Sequence, residues 1–108
     1  MPIIANVPVL PSRDLARSEG FYRRLGYRSV HKWPDYLILA CGDAELHLAI
    51  TDIEPTANPA GLYFRVKNID ELARAFGKIP EVRPWGRREF AVSDPDENLI
   101  RLGEKVRS

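Results

Sequence analysis

An arginine in the middle of an apolar strand faces either water or a site, and Arg101, between Ile100 and Leu102, poses that choice. It lies in "PWGRREFAVSDPDENLIRL", residues 84–102. There Pro84-Trp85-Gly86 bends the chain into one strand, Asp94-Pro95-Asp96-Glu97-Asn98 turns it, and Leu99 to Leu102 run back. Counting across a turn centred near Asp96 sets Ala91 opposite Arg101 and Glu89 diagonal to it, within reach of a long side chain. Period-two alternation sorts the neighbours. With position 101 inward, Leu99, Gly103, Gly61, Tyr63 and Arg65 share its face, while Leu62, Phe64, Val66, Ile100 and Leu102 form an apolar set suited to packing under helices. Earlier in the chain His47 and Ala49 point inward, Leu46, Leu48 and Ile50 point to the core, and Trp33 and Tyr36 lie near the same opening.

The candidate lining is therefore Trp33, Tyr36, His47, Tyr63, Arg65, Trp85, Glu89 and Arg101. Its chemistry is that of binding: flat aromatic surfaces suit a planar ligand, and a few fixed polar groups orient it. Plainer readings stand beside this one. Trp85, between proline and glycine, is a packing anchor or a stacking platform; Glu89 and Arg101 are a ligand-orienting pair or only a cross-strand ion pair, which adds about 0.2–1 kcal/mol when exposed. Arg83, Arg87 and Arg88 read as a solvated face, and Cys41 as a small buried apolar residue. The two histidines, His31 and His47, are too few and too far apart to make a metal motif by themselves.

Two half-length modules position these residues. The alternation in "NVPVLPSRDL" gives a strand ending at Pro11, Ser12 is placed to cap a helix over Arg13 to Leu25, and Gly26 terminates it. Strands over Tyr27–Trp33, Tyr36–Cys41 and Glu45–Ile50 follow, separated by Pro34-Asp35 and Gly42-Asp43. The result is a β-α-β-β-β module over 1–50. "TDIEPTANPA", 51–60, reads as a linker, and 61–108 repeats the order: "GLYFRV" as a strand, "KNIDELARAFGK" as a helix ending at Gly77, then strands at Glu81–Arg83, Arg87–Ser93 and Leu99–Gly103. "DLAR" at 14–17 recurs as "ELAR" at 71–74, an offset of 57. One helix per four strands predicts an α+β fold in which two curved sheets surround a cleft.

Composition bounds the alternatives. The 108 residues suffice for one domain with a core, and at 44% hydrophobic and 29% charged the chain has no apolar run near the roughly 20 residues of a membrane span. Sixteen basic against 15 acidic residues give a net charge of +1, which carries no argument for nucleic acid. One cysteine makes no internal bridge, and the N-terminus lacks a secretory pattern, so a cytoplasmic location is expected.

With "VPVLPSRDLARSEGFYRRLGY" at the front and "PWGRREFAVSDPDENLIRL" at the back, the duplicated module resembles the vicinal oxygen chelate superfamily, within it most nearly the bleomycin resistance proteins and their glyoxalase-type relatives. The resemblance implies metal ligands on the inner sheet faces of the superfamily's enzymes. Here the expected histidines fall on Val7 and Gly61 and the expected glutamate on Arg101, leaving only His47, with Glu45 on the same strand face, able to bind metal. It thus implies sequestration of a small molecule, a glycopeptide antibiotic being one candidate, without metal, other cofactor or catalysis. A metal-dependent glyoxalase- or dioxygenase-type enzyme is the alternative, and a cleft that serves only to assemble a larger partner is a third reading. The resemblance also implies a homodimer, as do the exposed aromatics of an uncovered sheet. It further implies glycine at position 97 of the turn; with Glu97 there, either Asn98 takes the left-handed conformation or the hairpin is mildly strained.

Overall fold

The computed structural model describes residues 2–106. Its elements run β1 (Val9–Ser12), α1 (Leu15–Arg23), β2 (Arg28–Trp33), β3 (Tyr36–Cys41), β4 (Ala44–Ile50), a 3₁₀ turn at Pro55–Ala57, β5 (Gly61–Arg65), α2 (Ile69–Ala75), β6 (Glu81–Arg83), β7 (Arg87–Ser93) and β8 (Leu99–Lys105). They form two four-stranded mixed sheets with a shared logic: order β1-β4-β3-β2 in one and β5-β8-β7-β6 in the other. In each sheet the first strand pairs parallel with the last of its module, and the other pairs are antiparallel. This is a β-α-β-β-β module used twice. The chain divides into two compact units, one of residues up to Ala60 together with Asp94–Asn98, the other of Gly61–Ser93 with Leu99 onward.

In the first unit, strand alternation buries Leu37, Leu39, Leu46 and Leu48 at 0–2% exposure, and Leu10 and Tyr27 join them. The helix above contributes Ser18 and Tyr22, both fully buried. Two polar residues make poor core unless their hydroxyls are partnered. The turn between β7 and β8 supplies the partners. Tyr22 donates to Asp94 Oδ2 at 2.6 Å and Ser18 Oγ to Asp96 Oδ2 at 3.2 Å. The other Asp96 oxygen accepts from the Arg13 amide at 3.0 Å and the Arg17 guanidinium at 3.2 Å. Asn98 donates to the Pro11 carbonyl, and Asn58, from the stretch read as a linker, donates to the Asp96 carbonyl and to Asn98 Oδ1, both at 2.9 Å. Burial first, and then the Asp94 carboxylate, push the Tyr22 phenol far above its ordinary range, so Tyr22 stays a donor.

The second unit packs Ile69, Ala73, Phe90, Val92, Ile100 and Leu102 between its helix and sheet, with Leu62, Phe64 and Val66 half-buried beside them. Helix α2 starts at Asn68, in the left-handed region at φ 60° with no side-chain cap of its own. Glu104 of β8 caps it instead, accepting from the Ile69 amide at 3.2 Å and the Asn68 amide at 3.3 Å.

Several sequence-based expectations are corrected. Ser12 lies inside β1 and bonds Ser18 at 2.6 Å, and Asp14 caps α1 by accepting from the Arg17 amide at 3.0 Å. Val7 precedes β1 rather than lying on it. The two helix caps, Asp14 and Asn68, stand 54 apart rather than 57, so the "DLAR"/"ELAR" match is out of structural register by about one helical turn. Ile50 is 45% exposed at the end of β4. Cys41, at the end of β3, is exposed, because β3 finishes at a hairpin. Of the two outcomes open to the turn, strain is the one found: Glu97 takes φ 62°, a left-handed conformation that costs a side-chain-bearing residue about 1–2 kcal/mol. Glu97→Gly should therefore raise stability by about 1 kcal/mol in urea unfolding, with the gain trimmed by the added freedom of glycine in the unfolded chain. Asp96→Ala should lower stability by about 1–3 kcal/mol in the same assay, because buried donors lose their acceptor.

Candidate functional site

Each sheet has one face packed under its helix and one face left open. On the first sheet the open face carries Tyr36 and Ile38 from β3, Glu45 and His47 from β4, and His31 and Trp33 from β2. A register shift between Ser29 and His31 turns the end of β2 so that His31 and Trp33 share that face. The rings follow one another: His31 to Trp33 at 5.6 Å, Trp33 to Tyr36 at 6.4 Å, Tyr36 to His47 at 5.3 Å between centroids. Both nitrogens of His47 are engaged, Nδ1 with the Tyr36 hydroxyl at 2.7 Å and Nε2 with Glu45 at 2.5 Å. With a hydrogen bond at each ring nitrogen, Tyr36, His47 and Glu45 are fixed as one unit. Trp33, half exposed, borders them.

On the second sheet the open face is built around Glu89, which is only 6% exposed. Its Oε2 accepts from the Tyr63 hydroxyl and from Trp85 Nε1, each at 2.6 Å. Its other oxygen lies 3.9 Å from Arg83 Nε. Burial raises the Glu89 pKa, but the bonds from Tyr63 and Trp85 and the charges of Arg83 and Arg101 outweigh it, so the carboxyl lies below its usual range. The Tyr63 phenol moves the other way, raised by desolvation and by the Glu89 carboxylate it serves. Gly103 makes this possible. A methyl group at position 103 would overlap the Tyr63 hydroxyl outright and come within 3.1 Å of Glu89 Cγ. Trp85 and Tyr63 remain 65% and 42% exposed while their polar atoms are held. Arg101 faces out of the core opposite Ala91 and Tyr63, with Arg65 on the same face.

The expected lining residues thus fall into two sets: Trp33, Tyr36 and His47 on the first sheet, and Tyr63, Arg65, Trp85, Glu89 and Arg101 on the second. Trp85 is no packing anchor, since most of its ring is solvent-exposed. Glu89 takes its bonds from Tyr63 and Trp85, and Arg101 reaches it only through the longer-range field. His31 belongs with the aromatic row, and alternation counted back from Trp33, two residues on in β2, is the signal that could have found it. Arg87 and Arg88 are not one solvated face. Arg88 turns to the helix side and makes paired 2.7 Å bonds to Asp70, while Arg87 stays on the open face. Strict alternation carried through β7 separates them. Among the described residues no three histidine, cysteine or acidic side chains gather as a metal would require. Of the positions where the resemblance placed metal ligands, Val7 lies before β1, Gly61 and Arg101 supply no ligand, and the nitrogens of His47 are already bonded. A catalytic metal does not fit this donor set.

A β-α-β-β-β module used twice, each with one sheet face under its helix and one left open, is a glyoxalase-like architecture. The family model described as Glyoxalase/Bleomycin resistance protein/Dioxygenase superfamily matches residues 4–102, and the chain belongs to that superfamily. It is 29% identical over 132 residues to a bleomycin resistance protein of Geobacillus stearothermophilus, covering 98% of this chain and 100% of the relative. It is 31% identical over 110 residues to a bleomycin resistance protein of Klebsiella pneumoniae, covering 88% and 87%. A crystal structure of a bleomycin-binding protein complexed with bleomycin superposes with a TM-score of 0.83 at 28% identity, over 95% of this chain and 99% of the other.

The Glu89 cluster makes its own prediction. A carboxylate with a depressed pKa contributes stability that is present above the ordinary glutamate range and lost as pH falls through the folded-state pKa. The melting-temperature gap between wild type and Glu89→Gln should therefore be open at neutral pH and close in acid. Gly103→Ala should cost about 1–3 kcal/mol by displacing Tyr63, and much less in a Tyr63→Ala background, a coupling that a double-mutant cycle measures.

Proposed function

We propose that this protein sequesters a small-molecule antibiotic, in the manner of the bleomycin resistance proteins, by binding it without metal, cofactor or chemical change. The observation that carries the reading is the fixing of Tyr63 and Trp85 by Glu89, which holds two exposed aromatic rings in place before any ligand arrives. Preorganised rings lose little freedom on binding, so their buried area converts efficiently into affinity. Full-length similarity to bleomycin resistance proteins supports the same reading, and the side chains at the superfamily's metal positions argue against the enzymatic alternative.

The binding residues in this proposal are Trp33, Tyr36 and His47 on one sheet, and Tyr63, Arg65, Trp85, Glu89 and Arg101 on the other. The protein works as a homodimer in the cytoplasm. Exposed Ile79 and Val82 at the β6 edge, 87% and 64% exposed, suit an isologous interface. No helix among the described residues is long and apolar enough to cross a membrane.

Thermal-shift titration with a panel of bleomycin-type and aromatic antibiotics tests the reading. A ligand-dependent rise in melting temperature, with the drug recovered unaltered, is expected. Trp85→Ala should weaken binding by about 1–3 kcal/mol with little salt dependence. Drug turnover, or one tightly held divalent metal per chain, would restore the enzyme reading. Light scattering at micromolar concentration should give twice the 12.3 kDa chain mass.

A further inference from the structure

The open face of the second sheet carries more positive charge than its carboxylates can answer. Alternation and register place Arg65 of β5, Arg83 of β6, Arg87 of β7, and Arg101 and Lys105 of β8 on this face, against Glu81 and Glu89. Both carboxylates are already engaged. Glu81 lies 3.4 Å from Arg83, and Glu89 accepts from Tyr63 and Trp85 while its other oxygen faces Arg83. Among the described residues, the guanidinium groups of Arg65, Arg87 and Arg101 make no hydrogen bond or ion pair. Neutral donors, a phenol and an indole N–H, occupy the buried Glu89 carboxylate, and these arginines keep their donors for something else.

Arg101 sits opposite Tyr63 across the β5–β8 pair, and Arg65 follows Tyr63 on the same face of β5. Arg65 and Arg87 are near enough for their charges to act on the Tyr63 phenol, as Arg83 and Arg101 act on Glu89. Like charges set so close together on a sheet repel one another, a cost that an added anion relieves. Guanidinium presents a planar fork that matches carboxylate, sulfonate or phosphate oxygens in pairs. The exposed Tyr63 and Trp85 rings, with their polar edges tied to Glu89, stand among these cations as stacking surfaces.

We propose that the second sheet's open face is an anion site, and that the ligand it selects is a planar aromatic molecule bearing a negatively charged group, held by Arg101 and Arg65 beside Tyr63 and Trp85. The proposal rests on the reading of this face as a ligand site and names the chemical class of what it takes.

Calorimetric titration of the full chain with 2-naphthoate, 2-naphthamide and 2-naphthylmethylammonium separates charge from ring. The expected order is naphthoate tightest, by about tenfold over the amide, and the ammonium weakest, with the naphthoate advantage shrinking as salt rises. Arg101→Gln and Arg65→Gln should each weaken naphthoate by about fivefold and leave the amide within about twofold, with Arg101→Lys falling between. Melting curves of each variant show that the fold is retained, as exposed side chains without partners lead one to expect. Equal binding of all three probes, preference for the ammonium, or naphthoate affinity unmoved by the arginine substitutions would overturn the proposal. Bleomycin titrated in parallel distinguishes the failures: a response to bleomycin without preference for naphthoate overturns the charge selection alone, and no response to bleomycin or to any naphthalene probe overturns the sequestration reading with it.

Discussion

Two buried carboxylates, Asp94 and Asp96, are the constraint from which much of the first unit follows. At 3% and 0% exposure they must accept hydrogen bonds in several directions, and the residues that donate are those that define the unit: Tyr22 and Ser18 on α1, the Arg13 amide at its approach, and Asn98 within the turn. An ordinary helix–sheet layer is held by an apolar stripe. Here the buried stripe of α1 is polar, and its register against the sheet is specified by hydrogen-bond geometry rather than by volume alone. No buried side-chain nitrogen or oxygen among the described residues is left without a partner.

The second unit uses its buried acid differently. Glu89 organises a surface rather than a core, and the helix above takes its cap from Glu104, one residue beyond the glycine that makes room for Tyr63. Successive residues of β8 therefore serve opposite faces: Leu102 fills the core, Gly103 clears the open face, and Glu104 returns to the helix side. A strand in which neighbours carry such different duties tolerates no slip in register, since a shift by one residue would exchange all of them.

Where the sequence carried local punctuation it was legible. Tyr36–Cys41, Glu81–Arg83 and Arg87–Ser93 match residue for residue, because apolar alternation is bounded there by Pro34-Asp35, Gly42-Asp43, Pro84-Trp85-Gly86 and the Asp-Pro turn. The pairing of Ala91 with Arg101, counted from that turn, is also found. What eluded the sequence is non-local. Ser12 looked like a cap because its hydroxyl suits one, yet it is drawn to Ser18, and the cap falls to Asp14. The bulge that turns His31 and Trp33 together onto the open face depends on pairing with β3. The fixing of Trp85 by Glu89 requires a side-chain direction that alternation supplies for the glutamate but not for a residue in a turn.

The hydrogen bond from the Arg13 amide to Asp96 spans 83 positions, and it sets an order of events on the ribosome. Residues up to Ala60 can pair their four strands soon after emerging, but the hydroxyls of Ser18 and Tyr22 stay without their carboxylates until Asp94–Asn98 have been synthesised. The first module is thus completed by a turn made more than 70 residues later, and a nascent chain halted between the two modules holds a sheet whose helix is not yet locked down. Long-range closure of this kind slows folding and prolongs the exposure of partly packed surface, so vectorial synthesis gives this duplicated architecture less of a head start than its modular sequence suggests.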